Sequence, residues 1–223
     1  MGKRKIKKQY RYLCLCEGEC QEIIYLKYLQ TLLQAEGHNV VFETRHINIK
    51  PAALQAAYVT GKSQDVAVLF DYDGDDENFK RMIQACVCRN SYDREFYHAY
   101  SNRCFDLWLL LHKMDFSVRI TNNDDYRKHF KSAYELTSND IGSRNFKSEK
   151  VQEKLNKRII LSDVIDAIHR AEIIRHNHET SQSNVLYRSD KRNEKTYVYT
   201  ENPDLMIHEF IKEVFRQCGI VRA

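Results

Sequence analysis

The sequence predicts an α/β fold, a mostly parallel sheet flanked by helices, with a helical accessory region added. Strand-length apolar runs alternate with stretches of helical periodicity over the first 115 residues, the pattern of strands joined by helical crossovers. The run from Val66 to Phe70 is apolar without a break and follows Gly61, as in a strand covered on both faces. Acidic side chains fall where these strands end, and open α/β sheets bind ligands beyond the carboxyl ends of their strands.

Taken in order, YRYLCLC from Tyr10 to Cys16 reads as the first strand. Glu17-Gly18-Glu19 follows, and Gly18 lets the chain turn sharply into a helix. That helix runs from Cys20 to Glu36, with Ile23, Ile24, Leu26, Leu29, Leu32 and Leu33 at helical spacing and Gly37 as its stop. A second strand spans Asn39 to Asn48, and Pro51 opens a helix that ends before Gly61. The third strand runs into Asp71, Asp73, Asp75 and Asp76. A helix from Phe79 to Arg89, a strand from Glu95 to Tyr100 and an apolar helix from Cys104 to His112 complete the first unit. In that last helix Trp108, Leu109, Leu110 and Leu111 read as core, and His112 as a helix-end residue favoured by the dipole.

The expected division is a catalytic core at 1–115, a helical accessory region at 116–200, and a C-terminal helix at 201–223 packing on the core. In the accessory region Leu161, Val164, Ile165, Ile168, Ile173 and Ile174 form an apolar stripe expected to pack onto the sheet. The polar run from Thr180 to Tyr199 reads as a loop near the site. Pro203 is expected to start the last helix, which reaches Gln217.

With 223 residues and 43% apolar composition the chain can bury a sizeable core. A net charge of +4 is too small to imply nucleic-acid binding by itself. Residues 2–11, GKRKIKKQYR, read either as a solvated tail or as a phosphate-binding arm. No stretch of about 18 apolar residues exists to span a membrane, and the basic start lacks the apolar core of a secretory leader. The seven cysteines fit neither a disulfide framework nor zinc pairs, so Cys14 and Cys16 read as small buried hydrophobes in a reducing cytoplasm.

If the sheet is parallel, Glu17, Asp71, Asp73, Asn102 and Asp106 share one rim. Carboxylates that close need a neutralising cation, and oxygen ligands suit Mg²⁺ or Mn²⁺. Glu17 is read as a metal-facing residue or a general base. Glu19 and Glu22 are read as helix-start charges. Asn102 is read as a helix cap or a substrate-orienting residue. An EF-hand starting at Asp71 is excluded by Asp76 and Met82 at its sixth and twelfth positions. His176 and His178 read as helix-end residues. Lys147, Lys150, Lys154, Lys157, Arg158, Arg170 and Arg175 form either a phosphate-binding face or a solvated surface, with Lys147, Lys150 and Arg158 the candidate substrate contacts. Two alternatives stay open. One is a haloacid-dehalogenase-like phosphatase with Asp71 as nucleophile and Asp73 as general acid/base. The other is a non-catalytic subunit that binds an ATPase.

The motifs CEGE at 16–19, FDYD at 70–73, SNRCFDLWLLLH at 101–112 and NPDLMIHEFI at 202–211 resemble those of the RloB-like proteins, bacterial TOPRIM proteins linked to phage defence and often found beside an ATPase. The resemblance covers about the first 115 residues and the short C-terminal motif. It implies a TOPRIM fold, the fold of topoisomerases, primases and OLD-type nucleases. It implies a Mg²⁺-dependent nuclease with Glu17, Asp71 and Asp73 as catalytic and metal-holding residues and Asp106 as a further ligand. The implied substrate is DNA or RNA, tRNA included, and the implied setting is abortive infection with an ABC- or AAA-type ATPase partner. Self-association is left open, and no membrane role is expected. The chain departs from the family at Arg103 and Asp106, where Pro and Glu are usual, and at Asp204-Leu205, where Ser-Thr is usual. Asp106 keeps a carboxylate but is one methylene shorter.

Overall fold

Unbroken apolar runs dictate a sheet that is buried on both sides, and the computed structural model of the protein has one. It describes residues 8–48, 64–72, 74–87, 95–142, 145–181, 183, 185–191, 194–199 and 201–222. Asp73 and the helix expected after Pro51 lie outside the described residues.

Strands β1 (Tyr10–Cys16), β2 (Val40–His46), β3 (Asp65–Asp71) and β4 (Phe96–Asn102) are mutually parallel. Their order is β2-β1-β3-β4, and the short β7 (Asp204–Leu205) closes the far edge antiparallel to β4. This is the expected α/β architecture with a mostly parallel sheet. Cys14, Cys16, Ala67 and Leu69 point to one face. Leu13, Leu15, Val66, Val68 and Phe70 point to the other.

The first face is covered by α1 (Gln21–Ala35), the six-residue α3 (Asp106–Leu111) and α7 (Ile207–Gln217), around which α4 (Asn123–Ala133), α5 (Glu149–Asn156) and α6 (Leu161–Thr180) gather. Every residue of α3 is buried, and Trp108 is the largest side chain in this core. The second face is covered by α2 (Asp76–Val87) and by a hairpin of β5 (Val185–Lys191) and β6 (Glu194–Tyr199), with Val198, Leu186 and Tyr187 packed inward. Cys14, Cys16, Cys86 and Cys104 are buried. Among the described residues no helix is long and apolar enough to cross a membrane.

Three expectations are corrected. The stretch Thr180–Tyr199 is not a loop: α6 runs to Thr180, and an antiparallel hairpin follows, pairing Asp190 with Lys195 and Lys191 with Glu194. The period-two placement of Tyr197 and Tyr199 around Val198 was masked by the surrounding charge. Pro203 does not open the last helix. Asp204 and Leu205 first pair with Asn102 and Ser101, and α7 begins at Ile207. On α6 the inward residues are Val164, Ala167, Ile168, Ala171 and Ile174, packed against α3, α7 and β7, while Ile165 and Ile173 face outward.

The outer edge of β2 is partly closed by α1. The Phe42 N–H donates to Gln30 Oε1 (2.8 Å), and Gln34 Nε2 donates to the Val40 carbonyl (3.0 Å).

Candidate functional site

Because β1 and β3 are adjacent, parallel and paired Cys16 to Leu69, their next residues emerge together at the carboxyl edge. The Glu17 N–H donates to the Leu69 carbonyl (3.0 Å), and the Glu17 carboxylate accepts the Asp71 N–H at Oε2 (3.0 Å). The Glu17 side chain is thus laid across the tip of β3. Asp71 pairs in turn with Ser101 of β4. Five residues beyond Ser101, Asp106 opens α3, fully buried, and Gln21 Nε2 donates to its Oδ1 (2.6 Å).

Gln21 and Glu22 occupy the first turn of α1, where side chains lean toward the helix start. Glu22 is only 5% exposed, and its Oε2 has no hydrogen-bond partner. A Cβ on Gly18 would stand 2.0 Å from that oxygen, so the glycine leaves the space that the carboxylate fills. Glu22 is therefore not a solvated helix-start charge, as read from the sequence, but a member of the acidic cluster. The sequence holds only a glutamate one helical turn past a glycine, which by itself does not distinguish it from a helix-start charge. Glu19, by contrast, is exposed, with His46 3.9 Å away.

The electrostatics agree. Burial, then the charges of Glu22 and Glu17, push the Asp71 carboxyl well above the usual range, against the pull of Lys147. Burial also raises Glu22, opposed by a hydrogen bond to its own backbone and by Lys147. Burial raises Asp106 against the Gln21 hydrogen bond, Lys147 and Arg127. Four carboxylates share a site that the protein's own cations neutralise only in part. Lys147 is exposed on the turn before α5. Beside it the buried Phe146 ring packs on Phe130 at 4.8 Å, and Gln152 Nε2 donates to the Phe146 carbonyl (2.7 Å).

The other acids of the loop serve the helix that follows. Asp75 Oδ1 accepts the Asn78 N–H (3.0 Å), and Asp76 accepts the Tyr72 hydroxyl. A pocket of about 40 Å³ opens beside the carboxylates, lined by Glu17, Phe70, Asp71, Asp75, Asn78, Phe79 and Met82.

The remaining candidates are placed as follows. Asn102 is buried; its Nδ2 donates to the Tyr199 carbonyl (3.4 Å), and its own carbonyl accepts the Tyr126 hydroxyl (3.4 Å). Arg158 pairs with Glu135 at the surface, Lys154 with Asp140, Lys157 with Glu153, and Arg170 with Asp115. Arg175 points inward to Asp204. Lys150, like Lys147, is exposed. His178 is held between Ser183 and the Pro203 carbonyl. His112 is not a dipole-favoured cation: it is buried, bonded to the Trp108 carbonyl (2.8 Å) and the Tyr25 hydroxyl (3.2 Å), and burial pushes its pKa down to about 4.

Among the described residues no three His, Cys, Asp or Glu side chains stand as a ready metal cluster. The donor chemistry at the rim is nonetheless carboxylate oxygen throughout, with one buried oxygen lacking a partner, and this suits a hard divalent cation.

Comparison with known proteins adds the following. No curated protein matches the chain. A solved structure, the C-terminal region of the Xanthomonas campestris pv. campestris OLD protein, is similar over 77% of this chain and 97% of its own, with 10% sequence identity and a TM-score of 0.34, a distance at which the likeness carries no argument. The family model described as RloB-like protein matches residues 12–214, nearly the whole chain. This chain belongs to the RloB-like protein family.

Proposed function

We propose that this protein is a metal-dependent nuclease, hydrolysing phosphodiester bonds of DNA or RNA in bacterial defence against phage beside an ATPase partner. The observation that carries the reading is the meeting of Glu17 and Asp71 at two adjacent strand tips, with Asp106 and Glu22, whose Oε2 has no partner, in the same acidic cluster. Held by Glu17, Asp71 and Asp106, with Glu22 behind and Asp73 joining, Mg²⁺ or Mn²⁺ would neutralise the scissile phosphate and lower the pKa of an attacking water. Gln21 orients the Asp106 carboxylate through its 2.6 Å hydrogen bond. Glu17 is anchored to the Asp71 backbone while its residue stays exposed, so it can meet a strand that arrives from solvent. The positive charge of Lys147 acts on the same carboxylates, and Lys147 would steady the backbone of that strand.

The phosphatase alternative makes Asp71 the nucleophile and gives Glu17 no chemical task. The test is therefore Glu17→Gln and Asp71→Asn, made separately and incubated with Mg²⁺ or Mn²⁺ and plasmid, single-stranded DNA or bulk tRNA. Each variant should lose about 100-fold or more in cleavage rate, roughly 2.7 kcal/mol of transition-state stabilisation. Full activity in Glu17→Gln would count heavily against this reading of the site. No cleavage by the unaltered protein, alone or with the ATPase, would leave the binding role.

A further inference from the structure

Arg127 has no part in the reading above, yet the fold brings it to the same rim. Helix α4 is fixed to the tip of β4 at two points. Arg103 donates to the Thr121 carbonyl, one residue before the Asn122 cap, and the Tyr126 hydroxyl donates to the Asn102 carbonyl (3.4 Å). The next residue is Arg127, whose side chain is 17% exposed. Its Nη1 lies 2.7 Å from Asp124 Oδ1, and its guanidinium lies over the Phe146 ring, 5.8 Å from the centroid. Its Nε is buried and has no hydrogen-bond partner.

Phe146 directly precedes Lys147. The stacked pair therefore brings two cations together from separate segments. A guanidinium presents donors on more than one edge, a geometry that matches the oxygens of a phosphate. Here Nη1 is engaged by Asp124, the Nε donor has no partner, and the exposed Lys147 directly follows the ring that the guanidinium covers.

We propose that Arg127 and Lys147 form a two-cation seat for one backbone phosphate of a nucleic-acid strand, beside the phosphate that the carboxylates act on. The inference rests on the nuclease reading for the class of ligand. A simpler role, in which Arg127 only balances Asp106, is an outcome of the test.

The test is equilibrium binding of a short fluorescent oligonucleotide, offered as single-stranded DNA, duplex DNA and RNA, from about 50 to 200 mM salt with Mg²⁺ present. Asp71→Asn serves as background so that the strand is not cut. In that background Arg127→Gln and Lys147→Ala should each weaken binding about 3- to 10-fold and reduce the log–log salt slope by about 0.7–0.9, with Arg127→Lys keeping the slope. Lys147 is exposed, so its variant reads the seat even if Arg127→Gln fails to fold. Unchanged slopes overturn the proposal, as does a loss in only one of the two variants or the absence of binding to all three probes. Cleavage is not the readout, so slope losses in a protein that cuts nothing would support the seat and refute only the nuclease.

Discussion

Arg175 is the best place to test how the fold is held. Asp204 is fully buried, and its carboxylate is met by the Tyr100 hydroxyl (2.5 Å), by Arg175 Nη1 (2.8 Å) and by the Tyr199 N–H (3.4 Å). Arg175 also donates to the Tyr197 carbonyl (2.7 Å) and lies over the Tyr199 ring at 4.9 Å. One guanidinium thus ties α6 to β4, β7 and β6. Arg175→Met keeps most of the apolar stem but strands a buried carboxylate without its cation. Breaking a buried pair this way costs about 3–5 kcal/mol. For a chain of this size about 2–4 °C is lost per kcal/mol, so the melting midpoint should fall by roughly 6–20 °C. Thermal and urea unfolding followed by circular dichroism would measure it. Arg175→Met combined with Asp204→Asn should recover much of the loss, because no charge is then left buried. A loss below about 1 kcal/mol in Arg175→Met alone would refute this account.

Three further expectations concern the carboxylates and the glycine at the site and the buried histidines. Asp71, Glu22 and Asp106 have folded-state pKa values raised by burial, so the folded protein holds their protons more tightly than the unfolded chain. Without a divalent ion, stability should therefore fall as pH rises from the ordinary carboxylate range through the raised values. Glu22→Gln should raise the midpoint at neutral pH, flatten that slope and shrink the stabilisation given by Mg²⁺; a lower midpoint with the slope intact would count against it. Gly18→Ala should fold, since the clashing atom ends a flexible side chain, at about 0.5–1.5 kcal/mol of rotamer strain. Its cleavage rate should match that of Glu22→Gln, and the double variant should be no worse; a fully active Gly18→Ala would refute the link. His112 and His98 are both pushed down by burial to about 4, from an unfolded value near 6.5. Their contribution is complete above about pH 6.5 and is lost as pH falls toward 4. His112→Gln should remove about half of that acid sensitivity in melts across the range.

The strand tips were legible because two local rules sufficed: an apolar run of strand length, and acids where the run stops. Glu17, Asp71 and Asp106 follow from the parallel sheet without tertiary detail. Glu22 was not legible in that way, since a glutamate early in a helix has an ordinary dipole explanation. Only the Cβ position above it shows why the carboxylate turns inward. The hairpin was hidden for a related reason. Its pairing of Asp190 with Lys195 and Lys191 with Glu194 looks, in one dimension, like a polar linker. The basic run of the accessory region had the opposite fault. Its charges looked available, but most meet acids that only the fold brings near, such as Arg158 with Glu135 and Arg170 with Asp115.

An edge strand with open amides and carbonyls invites another chain to dock on it and lengthen the sheet. Gln30 and Gln34 stand across that approach at Phe42 and Val40, filling with side chains the hydrogen bonds a visiting backbone would make. At these positions an incoming strand would first have to dislodge two amides, so assembly by sheet extension is disfavoured there. Replacing both glutamines with leucine would keep the helix and reopen that route.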